Sequence, residues 1–196
     1  MIKVKNVIKL YINRIITQLN ELNRPVVGLL NEPISKNSIE SYLCKLPIIL
    51  PGEVVSLFLT INGTKRKRGQ ILDDIQFFPG FYLLSIGEAV EIYTSISSDP
   101  RWSNSWFPIF ANGGGDFYCA VCDNINKKNA PILGYILGEE EQIVEYLNLD
   151  AMLKTIAECF ELRAYYVDEQ GFLEINDDLE KEIAKKNNPG IDRWQF

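Results

Sequence analysis

Residues 106–123 read WFPIFANGGGDFYCAVCD. The run Trp106, Phe107, Pro108, Ile109, Phe110 is short, aromatic and β-branched, which predicts a strand. Asn112, Gly113, Gly114, Gly115 and Asp116 are the residue types that reverse a chain, with Asp116 placed to bond the turn amides. Phe117 to Cys122 is again apolar, so the stretch predicts a β-hairpin. Pro131 to Leu137 predicts a third strand, and Gly138, Glu139, Glu140 and Glu141 a polar connection after it.

Upstream, Ser85 and Glu88 have the S-x-x-E spacing of a capping box and predict a helix over 86–96. Before it, Ile75, Phe77, Phe78, Phe81, Tyr82 and Leu83 predict strand, interrupted by Pro79-Gly80. From Leu50 a helix starts with Pro51 in its first turn, buries Val54, Leu57, Phe58 and Ile61, and is expected to stop at Asn62-Gly63. A shorter helix is expected over 38–45. Ile8, Ile12, Ile15, Leu19 and Leu22 recur every three or four residues and predict an amphipathic helix from Val4, ended by Arg24-Pro25. Downstream, residues 150–161 predict a core helix, 164–167 and 172–175 a strand pair, and 177–186 a charged helix stopped at Asn188-Pro189-Gly190. Helices, then clustered short strands, then helices again predict an α+β domain, not regular βαβ alternation.

The 196 residues carry 20 Lys+Arg against 26 Asp+Glu, a net charge of -6, and no His. That zero removes Ser-His-Asp and Cys-His nucleophiles, HExxH helices and His-ligated metals. The charge is uneven. Residues 1–98 hold 11 basic and 8 acidic side chains, whereas 139–182 hold 14 acidic side chains against Lys154, Arg163 and Lys181. Such a segment repels nucleic acid and attracts a basic protein surface, or simply keeps the chain soluble. Four consecutive cations, Lys65 to Arg68, stand in a loop with no interleaved aromatic residue and predict a solvated loop rather than a nucleic-acid site. The longest apolar runs, such as LPIILP at 46–51, fall short of the ~18 residues of a membrane span. The N-terminus lacks an apolar signal core. Its first twenty residues lack Asp and Glu, as a mitochondrial presequence would, but also lack Ser and favour Lys over Arg. A cytoplasmic location is therefore expected, with Cys44, Cys119, Cys122 and Cys159 as buried thiols rather than disulfides.

The glycines of 112–116 lead into a strand, whereas a phosphate-cradling loop needs a helix N-terminus behind it. Cys119 and Cys122 have CxxC spacing, but within a strand their side chains point to opposite faces, against a metal or redox pair. Paired carboxylates are the one catalytic route that needs no His; Asp73-Asp74, Glu139 to Glu141 and Asp177-Asp178 are the candidates for it. Trp106, opening a strand, is expected in the core. Trp102, in the polar loop 97–105, is expected to be exposed, either as an anchor for a partner or functionally silent.

The segments LPGEVVSLFLTINGT (50–64), FYLLSIGEAVEIYTSI (81–96), WFPIFANGGGDFYCAVCD (106–123) and APILGYILGEEE (130–141), in this order and followed by a core helix, resemble the SUKH superfamily, named for a fungal regulator of cell-wall glucan synthesis and killer-toxin resistance. Leu50-Pro51 and Asn62-Gly63 match its helix brackets, Trp106, Pro108 and Ile109 its strand, and Gly115-Asp116 its glycine-aspartate turn. The resemblance implies a mostly antiparallel, twisted sheet flanked by helices. It places the core domain at 38–163, after an added amphipathic helix and linker (1–37) and before a hairpin-and-helix extension (164–196).

It also implies a non-catalytic protein without cofactor or metal. Bacterial members of the superfamily are read as immunity proteins that bind and neutralise polymorphic toxins, and fungal relatives as regulatory scaffolds. The expected partner is accordingly a protein, a basic toxin domain, with Trp102, Glu139, Glu140, Glu141, Asp177 and Asp178 as candidate binding residues and neither nucleic acid nor membrane as target. The alternatives are a regulatory scaffold of cell-wall synthesis and, further off, a carboxylate-dependent hydrolase.

Overall fold

The hairpin predicted at 106–123 lies at the heart of the sheet. A computed structural model describes residues 7–123 and 129–195. Strands β1 (Tyr82–Leu83), β2 (Trp106–Ala111), β3 (Phe117–Val121), β4 (Ile132–Tyr135) and β5 (Ile143–Tyr146) form one sheet in sequence order, every neighbouring pair antiparallel. β2 is buried at five consecutive positions, so protein covers both of its faces. At Pro108 the register with β3 shifts, and the carbonyl of Ile109 turns to accept from Leu84 instead. β5 has no counterpart in the sequence reading. The strand expected over 75–83 shrinks to β1, because Pro79-Gly80 makes a tight reversal that stacks Phe78 on Phe81, ring centres 5.4 Å apart.

Helices α1 (Val7–Glu21), α2 (Lys36–Leu43), α3 (Gly52–Phe58), α4 (Ile86–Ile96), α5 (Leu149–Glu161) and α6 (Asp177–Asn187) complete the α+β fold among the described residues, with a two-stranded sheet of β6 (Tyr165–Val167) and β7 (Leu173–Ile175). α1 buries Ile8, Ile12, Ile15 and Leu19, the predicted stripe, and packs it on α5. The expected start at Val4 lies outside the described residues. It ends at Glu21, earlier than Arg24-Pro25, and Asn23 just beyond takes a left-handed backbone (φ 54) that reverses the chain. α4 begins with the predicted capping box: Glu88 N bonds Ser85 Oγ at 3.3 Å and Ser85 N bonds Glu88 Oε2 at 2.9 Å.

Asn62-Gly63 does not stop α3, which ends at Phe58. Asn62 instead accepts the Ile86 N–H through Oδ1 at 2.9 Å, holding the start of α4. Gly63 (φ 81) passes so close to the backbone of Leu84 and Ser85 that a Cβ would collide with it.

One apolar cluster runs from Ile8 to Trp194. A buried polar brace ties its outlying parts together. Arg24, 6% exposed, forms an ion pair with Asp73 and donates to the carbonyl of Gly171 at 2.8 Å, while Asp73 Oδ1 accepts the Leu173 N–H at 2.9 Å. Asp73 is thus a structural acceptor. No helix among the described residues is long and apolar enough to cross a membrane.

Candidate functional site

An antiparallel meander returns its alternate turns to the same end. The β2–β3 turn (112–116) and the β4–β5 turn (136–142) therefore lie side by side, and Asp116 joins them: its Oδ1 accepts the Leu137 N–H at 2.9 Å. Bonding of the turn amides, expected of Asp116, falls to Asn112, whose Oδ1 accepts from Gly114 N at 2.7 Å and Asp116 N at 3.0 Å. Gly115 (φ 109) permits the close approach, since a Cβ there would stand 2.8 Å from Leu137 Cδ2. On the other side of the same turn Gly113 faces Leu72, from the loop that follows Lys65 to Arg68.

Three segments thus build one face. Its centre is apolar: Ile71, Leu72, Ile136, Leu137 and Ile143 are each 45–55% exposed. Isolated exposed apolar residues are ordinary, whereas five on two neighbouring loops and the start of β5 mark a candidate contact surface. One flank is acidic. Glu139, Glu140 and Glu141 are exposed at a tip that Gln142 fixes, accepting from Ile136 N at 2.7 Å and donating to the carbonyls of Ile136 at 3.0 Å and Glu139 at 2.9 Å. The other flank is basic. Arg66 pairs with Glu88 at 3.3 Å and lies over the Tyr82 ring, and Lys65 to Arg68 with Asn31, Thr64 and Ser85 line a depression of about 540 Å³.

Two candidate residues are placed differently from expectation. Trp102 is only 6% exposed, wedged edge-on against Trp106, Phe117 and Tyr135 at ring distances of 5.1–6.3 Å. It is a core residue, because the loop 97–105 folds back over the sheet instead of extending into solvent. Trp106, expected in the core, is half-buried at the start of β2. Asp177 and Asp178 are exposed, but in the first turn of α6, directly after β7; they do not join the three-loop face.

The carboxylates whose pKa is raised lie elsewhere again, at Glu53, Glu145 and Glu180. Glu53, in the first turn of α3, accepts the Ala130 N–H at 2.7 Å and faces the amides of Leu149 and Asp150 at the start of α5; burial outweighs these contacts and raises its pKa to about 7. Glu145 (β5) accepts from the Tyr118 hydroxyl at 3.1 Å, and Glu180 (α6) bonds the Tyr165 hydroxyl. Burial raises both, and Arg193 partly offsets it. Glu145 turns inward to the partly buried Tyr118 and Glu180 to the buried Tyr165, and both serve packing. Cys119 and Cys122 are buried and desolvation raises both thiols, Cys122 to about 12, the reverse of an activated pair. Cys159 is buried too, whereas Cys44 is exposed at the end of α2, contrary to expectation.

Residues 33–161, from just before α2 to the end of α5, match the model of the SMI1 / KNR4 family (SUKH-1). The chain belongs to the SUKH-1 family. No curated protein matches it. The SUKH-1 segment contains the whole five-stranded sheet and all three loops of the face, and it leaves α1 and the β6–β7–α6 extension outside.

Within that segment Leu50 and Pro51 are buried at the start of α3, and Pro108 and Ile109 are buried in β2. Asn62, Gly63, Gly115 and Asp116 hold loops to one another. These residues shape the scaffold on which the face is displayed. The contiguous Glu139 to Glu141 stand out in the sequence but the apolar centre does not, because Ile71 and Leu72 come from one segment and Ile136, Leu137 and Ile143 from another, and they share no pattern along the chain.

Proposed function

We propose that this SUKH-1 chain is a non-catalytic binding protein of the cytoplasm, an immunity protein that neutralises a toxin domain by covering it with the three-loop face. The observation that carries the reading is the composition of that face: five exposed aliphatic side chains beside a rigid tip of three glutamates. Aliphatic side chains at the centre of a contact supply affinity, and a charged edge supplies encounter rate and selectivity. The partner that fits is a protein with a basic surface, as expected of a domain that acts on a polyanion. The basic flank at Lys65 to Arg68 then faces an acidic patch on the same partner, fixing the orientation of the complex.

The test is co-expression with a toxin domain encoded beside this chain, followed by isolation of the complex and measurement of association rates. Neutralisation with an association rate that falls at least tenfold between 50 and 500 mM salt is the expected result. Replacing Glu139→Lys, Glu140→Lys and Glu141→Lys together should slow association by a further tenfold while leaving the melting temperature unchanged. An unchanged rate would remove the acidic tip from the interface. Absence of any complex would favour the regulatory-scaffold reading.

A further inference from the structure

Lys65, Arg66, Lys67 and Arg68 follow one another between two anchored points of the backbone. At the near end the Thr64 N–H donates to the Leu83 carbonyl at 2.9 Å and the Lys65 N–H to the Leu29 carbonyl at 2.7 Å. At the far end Gln70 closes a turn on Lys67: its N–H donates to the Lys67 carbonyl at 3.2 Å, and its side-chain oxygen accepts the Lys67 N–H at 2.7 Å. A loop tied at both ends keeps its cations together at one place.

That place is the depression of about 540 Å³, which the four cations line with Asn31, Thr64, Ser85 and Glu88. Its charges do not balance. Glu88 is the one carboxylate among the described lining residues, and it is already engaged. Its Oε2 accepts from Ser85 N at 2.9 Å and Ser85 Oγ at 2.8 Å, and its Oε1 pairs with Arg66 at 3.3 Å. Lys65, Lys67 and Arg68 are exposed and form no ion pair among the described residues. A second observation comes from the buried part of the lining. Thr64 is 2% exposed, and its hydroxyl has no hydrogen-bond partner among the described residues. Buried polar groups are nearly always satisfied, so an orphaned hydroxyl beside four cations calls for an acceptor from outside the chain.

We propose that this depression binds a small oligophosphate anion, a di- or triphosphate group. Size admits it, since small-ligand sites measure about 300–1,000 Å³. Charge selects it: three cations without a carboxylate call for a ligand with several negative charges in a short span, and the Arg66 and Arg68 guanidiniums suit the paired oxygens of phosphates. The Thr64 hydroxyl would donate to one such oxygen. A long polyanion is disfavoured, because the chain carries a net charge of -6 and Glu139 to Glu141 lie on the opposite flank of the same face. The described lining holds no aromatic ring on which a base could stack, so the phosphates themselves are what is recognised. The inference does not rest on the immunity reading. A bound oligophosphate would nevertheless compete with an acidic patch of a partner for the same cations.

The test titrates the full chain with sodium triphosphate in a calorimeter, without magnesium, and then with ATP, AMP and a duplex DNA fragment. The expected result is one saturable site for triphosphate, equal affinity for ATP, and at least tenfold weaker binding of AMP. Affinity should fall at least tenfold between about 50 and about 500 mM salt. Lys65→Gln, Lys67→Gln and Arg68→Gln together should weaken binding at least tenfold. Lys181→Gln, Lys185→Gln and Lys186→Gln together, which remove as many cations from α6, should leave it unchanged. Thr64→Val keeps the shape of the side chain and removes the hydroxyl, and should weaken binding about tenfold at an unchanged melting temperature. Equal losses in the two triple variants would reduce the effect to net charge and overturn the site. Thr64→Val binding like the parent, AMP binding as tightly as triphosphate, or DNA binding more tightly than triphosphate would each overturn it as well. A chain that neutralises a toxin and binds no triphosphate would overturn this inference while leaving the immunity reading intact.

Discussion

Glu53 shows what one buried carboxylate does to a fold. Its pKa stands at about 7 instead of 4.5 because burial penalises the anion more than the Ala130 amide stabilises it. The folded state therefore holds the proton more tightly than the unfolded chain does. Its contribution to stability is fully present below pH 4.5 and is lost as pH rises to about 7. The shift is worth about 3 kcal/mol. Glu53→Gln should accordingly gain stability relative to the parent between pH 5 and pH 8, by up to ~3 kcal/mol in urea unfolding; parallel curves at the two pH values would show that the anion is fully compensated. Trp102 offers a second test at this scale. As a core residue its replacement Trp102→Ala should cost about 3–5 kcal/mol, whereas an exposed anchor would leave denaturant midpoints within about 0.5 kcal/mol of the parent.

At the level of elements, those that carry their own pattern were legible in the sequence. The 106–123 hairpin, the capped α4 and the stripes of α1 and α5 each follow from periodicity and end signals that need no knowledge of the rest of the chain. β5 was not legible, because its four residues include Glu145, and a charged residue in an apolar run reads as loop until Tyr118 and the space beside Gly134 are known to receive it. Trp102 was missed for a related reason: loop polarity describes the backbone's neighbours in sequence and not the sheet that the loop folds onto. The candidate face was half legible, its glutamates contiguous and its aliphatic centre dispersed. The rigidity of its tip depends on Gln142, a side chain that sequence alone does not mark. Gln142→Ala removes three hydrogen bonds from the turn, so exchange of the Ile136 amide should accelerate at least tenfold with little change in global stability. Exchange as slow as in the parent would mean that the backbone of the turn holds itself.

Across the whole molecule, the helix before the family segment and the extension after it are bound in by more than apolar contact. α1 lies on α5, α6 lies on α5, and the Arg24–Asp73 pair reaches from the first connection of the chain, through the loop before β1, to the turn and outer edge of the last hairpin. Removing one member of a buried ion pair leaves the other charged, desolvated and unpartnered, a cost of about 3–5 kcal/mol. Asp73 would lose its cation, and the Gly171 carbonyl its donor, at the same moment. Thermal unfolding of the parent should therefore be a single transition seen alike by near-UV and far-UV dichroism. Arg24→Ala should lower its midpoint and loosen the extension first, so that the Trp194 environment, held by a 2.5 Å bond from its indole N–H to the Glu145 carbonyl, changes before the sheet does. A double-mutant cycle with Asp73→Asn then measures the coupling directly. Additive losses and coincident transitions in the variant would show that the apolar cluster alone unites the three parts of the chain.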